Sequence, residues 1–225
     1  MPTALDRGFI FVHIPKTGGT SVTAALHNAG VVFDFDGDGI WGRLEALPNG
    51  ADVLRRLKRT FPINTIVHFA EKHLPAQILR EFVTREVWQR AFSFAIVRNP
   101  WDLVVSTYFF IAEHRGDFDR LEPDYADIIG RSDFARFVRL YPMIASDQTS
   151  MIEDDAGRII VDFVGRFERL AEDFASACAR IDLRSELPQL NTTAHQTYRN
   201  YYDDDTRALI EHHFRRDIAR FGYAF

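Results

Sequence analysis

The sequence is poorest in cysteine. Its 225 residues include one, Cys178, which excludes an intramolecular disulfide and a cysteine-based zinc site. That residue lies in the Ala-rich run AEDFASACARI, where a buried, inert thiol is expected. No run of about 18 apolar residues occurs, so no integral membrane segment is expected. The start, MPTALDRGFIFVHI, has no basic stretch followed by a long apolar one, so no secretion signal is expected and the compartment read from the sequence is the cytoplasm. Positive charge is not in excess: 27 Lys and Arg stand against 32 Asp and Glu, a formal net charge of −5. With no basic run, that balance argues against a general nucleic-acid or polyanion binder. There is no internal repeat and no low-complexity segment.

What is present is ordinary globular composition, 46% hydrophobic and 26% charged, with 20 Phe to build a core. The length suits a single domain covering residues 1–225, with an acidic lid or insertion at 115–131. Short, nearly continuous apolar runs at 9–13, 63–69, 92–97 and 159–163 read as strands buried on both faces. Helical patterns follow at 20–29, 51–60, 75–83, 100–112, 132–140, 168–181 and 203–221. Pro75 sits at a favourable first-turn position, and Asn99-Pro100 reads as an N-cap with a first-turn proline. Strands alternating with helices predict an α/β fold, three-layered and P-loop-like, whose central sheet is mainly parallel and flanked by helices.

The most informative stretch is FVHIPKTGGTS, residues 11–21. A strand delivers a tight loop to a helix start. Gly18 and Gly19 let the backbone curl close to an anion. The first N–H groups of the helix then point at that anion, and the helix dipole favours negative charge. Lys16 adds a positive charge, and Thr17, Thr20 and Ser21 add hydroxyl donors. The order differs from the nucleotide-binding pattern in which Gly-Lys-Ser/Thr closes the loop, because here Lys precedes the glycines.

A second motif is AIVRNPWD, residues 95–102, with Ser106 eight residues after Arg98. Arg98 leaves the end of a buried strand, where open α/β sheets bind ligands. A guanidinium there suits bidentate phosphate binding, and Ser106 lies off the apolar stripe of the next helix. The bland reading is an arginine that caps the strand end and pairs with Asp102.

Together these motifs, in this order and about 80 residues apart, resemble those of sulfotransferases that use 3′-phosphoadenosine 5′-phosphosulfate (PAPS). The similarity is to the branch holding bacterial and Golgi carbohydrate enzymes. HIPKTGGTS resembles that family's 5′-phosphosulfate loop, and Arg98 with Ser106 its 3′-phosphate motif. The stretches 163–170 and 191–225 also resemble the family, so most of the chain is covered. The resemblance implies sulfuryl transfer from PAPS to an acceptor hydroxyl or amine, with 3′-phosphoadenosine 5′-phosphate (PAP) as product and no metal. Lys16 and the loop N–H groups would stabilise the charge on the departing oxygen. Arg98 and Ser106 would hold the 3′-phosphate, and Arg199, in a late polar loop, would close over the nucleotide.

An acceptor hydroxyl needs a general base. His73 in FAEKHLPAQ is the leading candidate, since related enzymes have a histidine in the corresponding segment. His68 and Glu71 are the runners-up, and Lys72 suits acidic groups. His13 reads as a packing or loop-fixing residue, and His212 and His213 as surface residues. Asp203, Asp204 and Asp205 read as a helix N-terminal cluster that complements the dipole. The acidic 115–131 segment favours a neutral or cationic small-molecule or carbohydrate acceptor over a polyanion. Two rivals remain. A P-loop kinase would use Asp162 as its strand-end acid, and a nucleotide-binding module would keep the loop but not catalyse transfer.

Overall fold

The computed structural model describes residues 3–33, 47–60, 73–114, 133–143, 145–188 and 196–225. Its strands are β1 (Thr3–Ala4), β2 (Phe9–Val12), β3 (Phe92–Val97) and β4 (Phe163–Arg166). Its helices are α1 (Gly19–Asn28), α2 (Gly50–Thr60), α3 (Ala76–Phe82), α4 (Arg85–Arg90), α5 (Pro100–Glu113), α6 (Phe134–Leu140), α7 (Leu170–Arg180), α8 (Asp204–His213) and α9 (Arg215–Phe221). The sheet runs β1-β2-β3-β4. The short β1 is antiparallel to β2, and the other pairings are parallel.

Side chains alternate across the sheet, as strand geometry requires. Ile10, Val12, Ala95 and Val97 pack on one face with Val53 and Leu57 of α2 and Ile78 and Leu79 of α3. Phe9, Phe11, Phe94 and Ile96 pack on the other with Val22 and Leu26 of α1 and Phe174 and Cys178 of α7. Burial on both faces explains why β2 and β3 read as unbroken apolar runs. A third cluster joins α5, α6 and α8 through Val104, Phe137 and Ile210, with Phe214 just after α8. The fold is therefore a mixed α/β sheet, mostly parallel and flanked by helices.

Two expected elements are displaced. The strand read at 159–163 lies at Phe163–Arg166, and Ile159 makes only an isolated bridge to Glu153. At position 162 the Asp side chain accepts from the Ser93 amide at 2.8 Å, and regular pairing starts one residue later. Gly and Arg are poor strand formers, so pairing with β3 overrides propensity there. The final helix is two helices that meet at Phe214, whose fully buried ring packs against Tyr141. The predicted strand at 63–69 and the lid at 115–131 lie outside the described residues.

Candidate active site

Because β2, β3 and β4 are parallel, the loops after Val12, Val97 and Arg166 leave the same edge of the sheet. That carboxyl edge is where such sheets bind ligands. The first of these loops turns sharply. Lys16 has φ 62° and Gly18 φ 86°. A residue with a side chain in the left-handed region costs about 1–2 kcal/mol, so Lys16 must be held there by its surroundings. Thr17 is fully buried and donates its hydroxyl to the Ile14 carbonyl at 2.9 Å. Arg98 donates Nη1 to the Lys16 carbonyl at 2.9 Å.

The loop ends at α1. Its N-cap is Gly18, which makes no side-chain cap bond, and the first turn carries no acidic residue. The N–H groups and dipole of that turn therefore meet no competing anionic side chain on α1 itself. Gly18 is favoured by its left-handed φ, and Gly19 by the His13 ring beside it. A Cβ on Gly18 would approach Leu170 Cδ2 to 2.7 Å, and one on Gly19 would approach His13 Nε2 to 1.8 Å. Thr20 is exposed in the first turn, while Ser21 is buried. Of the three hydroxyls read as donors, Thr17 thus closes the loop and Thr20 faces outward.

Lys16 and Arg98 come together at this edge. Lys16 Nζ lies 3.8 Å from the centre of the Phe110 ring. Burial first, then the nearby Arg98 charge, lower its pKa to about 8, with Glu113 pulling the other way. Arg98 is 6% exposed. Its Nε donates to Asp102 Oδ2 at 2.8 Å, and its guanidinium stacks on the Phe167 ring at 3.9 Å. The pairing with Asp102 anticipated by the bland reading is therefore present, and the same side chain also reaches the lysine loop. Asp102, Ser106 and Phe110 follow at four-residue intervals and share one face of α5. Asp102 holds Arg98 and Phe110 carries Lys16, so Ser106, itself buried, sits between the two cations' supports.

His73 stands beside the same loop. Its Nδ1 is 2.8 Å from the His13 carbonyl, and the two imidazole rings lie 4.3 Å apart. A carbonyl only accepts, so Nδ1 carries a proton, and in the neutral ring Nε2 carries the lone pair. His13 is stacked on Phe11 and packs over Gly19, a loop-fixing position as expected. Arg199 lies on the Tyr198 ring at 4.7 Å, and Tyr198 is within 3.5 Å of the Asn99 amide. It therefore borders the Arg98–Asn99 turn rather than the lysine loop.

Several residues around that turn were not legible beforehand. Asn99 caps α5 through the Trp101 and Asp102 amides, as expected. Its side-chain amide also donates to the Ala224 carbonyl at 2.9 Å, and its backbone N–H donates to Glu168 Oε1 at 2.6 Å. The other Glu168 oxygen accepts from the Tyr223 hydroxyl at 3.3 Å. Gln148 pairs with the Arg98 backbone, and Asp217, on α9, holds Gln148. Burial pushes the Asp217 carboxyl up to about 6. Phe167 directly follows the observed β4, but with the strand read at 159–163 it gave no signal in the sequence.

Other expectations resolve away from the site. Asp203 forms a capping box with Thr206 at the start of α8. His212 is exposed, but His213 is not a plain surface residue. Its Nε2 is 3.0 Å from the Ala145 carbonyl, and burial lowers its pKa. Asp162 bonds to Ser93 at the amino-terminal end of β4, the opposite end from Lys16, where a kinase acid would not serve. Cys178 is buried, and burial raises its thiol pKa to about 11. His68, Glu71, Lys72 and residues 191–195 lie outside the described residues. Among the described residues, no helix is long and apolar enough to cross a membrane.

A glycine-containing loop at the carboxyl edge of the sheet, with Lys16 in it and Arg98 bonded to it, is compatible with several activities. The comparison with known families is more specific. Residues 3–224 match the model of the sulfotransferase family, and the chain belongs to that family. It is also similar to an uncharacterized protein of Archaeoglobus fulgidus, 29% identical over 128 residues, which are 56% of this chain and 98% of that protein.

Proposed function

We propose that this chain transfers a sulfuryl group from PAPS to the hydroxyl or amine of a small-molecule or carbohydrate acceptor. The observation that carries this reading is the junction at the Lys16 carbonyl. Arg98 binds it, which brings the arginine beside the lysine loop whose end is the start of α1. The two motifs read from sequence are thereby parts of one site. The cores on both faces of the sheet support a three-layer, P-loop-like reading.

The donor supplies an activated sulfuryl group beside a 5′-phosphate oxygen that can leave. Gly18, Gly19 and the α1 amides receive that phosphate, and Lys16 stabilises the charge gathered there on bond breaking. Arg98 and Ser106 hold the 3′-phosphate, with Arg199 at the border of the nucleotide site. His73 takes the acceptor proton at Nε2, because the His13 carbonyl keeps Nδ1 protonated. The acidic 115–131 segment favours a neutral or cationic acceptor.

The decisive experiment is calorimetric titration with PAP, with AMP and ATP as controls, on wild type and Arg98→Ala. PAP binding that depends on the 3′-phosphate and is lost in the variant is expected. Labelled-sulfate transfer to an acceptor panel then separates an enzyme from a binding module. Absent PAP binding, or tighter Mg²⁺-dependent ATP binding, overturns the proposal.

A further inference from the structure

Just past the end of β3, the backbone of Arg98 is paired by a side chain rather than by another strand. Gln148 Oε1 accepts from the Arg98 N–H at 2.8 Å, and Gln148 Nε2 donates to the Arg98 carbonyl at 2.8 Å. This two-sided pairing fixes both polar groups of one peptide residue. It also fixes the orientation of the amide, since a flipped Gln148 would set donor against donor and acceptor against acceptor.

The second Nε2 proton goes to Asp217 Oδ2 at 3.2 Å, and the same oxygen accepts from the Gln148 N–H at 2.8 Å. Asp217 Oδ1 accepts from the Thr149 N–H at 2.8 Å and its hydroxyl at 2.6 Å. Asp217 is 0% exposed, Gln148 2% and Thr149 0%. Buried in this way, a carboxylate persists only when donors surround it. Asparagine is a poor replacement, because in either orientation its NH₂ would face a backbone N–H, of Gln148 or of Thr149, that only donates.

We propose that Asp217 and Gln148 are positioning residues for the donor's 3′-phosphate, acting through the backbone of Arg98. The proposal rests on the PAPS reading above. The Arg98 guanidinium lies between Asp102, the Lys16 carbonyl and the Phe167 ring, so its reach is set by where its Cα is held. Asp217 sets Gln148, Gln148 sets that backbone, and the guanidinium is thereby preorganised for a phosphate.

The test compares the PAP and AMP affinities of wild type, Asp217→Asn, Gln148→Met and Thr149→Val, each with a melting curve. Thr149 shares the carboxylate but makes none of these bonds to Arg98, so its variant reports the purely structural cost. The expected result is a PAP:AMP affinity ratio reduced about tenfold or more in Asp217→Asn and Gln148→Met. The ratio stays within about twofold of wild type in Thr149→Val, whatever its melting temperature. Should Asp217→Asn fail to fold, Gln148→Met decides alone. An unchanged ratio in Gln148→Met, or an equal fall in Thr149→Val, overturns the proposal. A wild type that binds PAP no better than AMP overturns the donor reading instead, and leaves no 3′-phosphate site for Asp217 to serve.

Discussion

The His13 ring occupies the space that a side chain on Gly19 would need, with its Nε2 1.8 Å from the place of the missing Cβ. His13, just after β2, is thus in contact with the start of α1 across the loop between them. Gly19→Ala is expected to destabilise by about 1–3 kcal/mol, the range for overpacking a tight site. It should also weaken anion binding. His13→Ala in the same chain should restore part of that loss, giving a non-additive double-mutant cycle. Thermal denaturation of the four proteins measures the coupling, and additivity would show that the ring is not what excludes the methyl group.

Lys16 makes the site pH-dependent. Its pKa in the folded chain is about 8, below the usual 10.5. The native chain therefore holds fewer protons than the unfolded chain between pH 8 and 10.5, and stability should rise with pH across that window. Lys16→Met should remove that rise. An anionic ligand favours the charged lysine, so PAP binding near pH 8.5 should take up protons. Calorimetry in buffers of different ionisation enthalpy reads this directly, and the uptake should vanish in Lys16→Met.

His73→Ala should lower turnover by about 10²–10⁴, the usual contribution of a general base. Its effect on PAP affinity should be small by comparison. Donor titration alongside single-turnover transfer checks both. Retention of near-wild-type turnover would remove His73 from the mechanism and direct attention to His68 and Glu71.

Cys178 provides a built-in probe of unfolding. It is 3% exposed and its thiol pKa is about 11. Near pH 8 the thiolate fraction alone should slow alkylation by about a hundredfold or more relative to a free cysteine. Labelling followed by mass spectrometry should therefore track opening of the α1–α7 face, and rapid labelling of native protein would contradict the burial.

The residues that act through local pattern were readable from sequence. A loop between an apolar run and a helix marked Lys16 and Gly18–Gly19, and Asn99-Pro100 marked the start of α5. The fully buried strands β2 and β3 were equally plain, because burial on both faces leaves an unbroken apolar run. The strand β4 was misplaced because its Gly165 and Arg166 carry no strand signal. Gly165 is instead fitted beneath Ile96 and beside Asp173, where a Cβ would come within 3 Å. Asp217 and Gln148 were invisible because they meet only in space. Each looks like an ordinary polar residue until 69 positions of chain fold back to join them. The pattern at 203–221 read as one helix, whereas two helices meet at Phe214, whose ring packs against Tyr141.

The Arg98–Asn99 turn is held by residues from the far end of the sequence. Ala224 accepts from Asn99, Tyr223 bonds Glu168 against the same turn, and Asp217 reaches it through Gln148. A ribosome that has released the lysine loop and the arginine strand has therefore made both cations of the site, but nothing that locks the turn between them. Until residues 217–225 emerge, Gln148 and Glu168 touch the turn but lack Asp217 and Tyr223, which hold them there. A nascent chain stalled before residue 217 should accordingly bind PAP more weakly than one that includes residues 217–225.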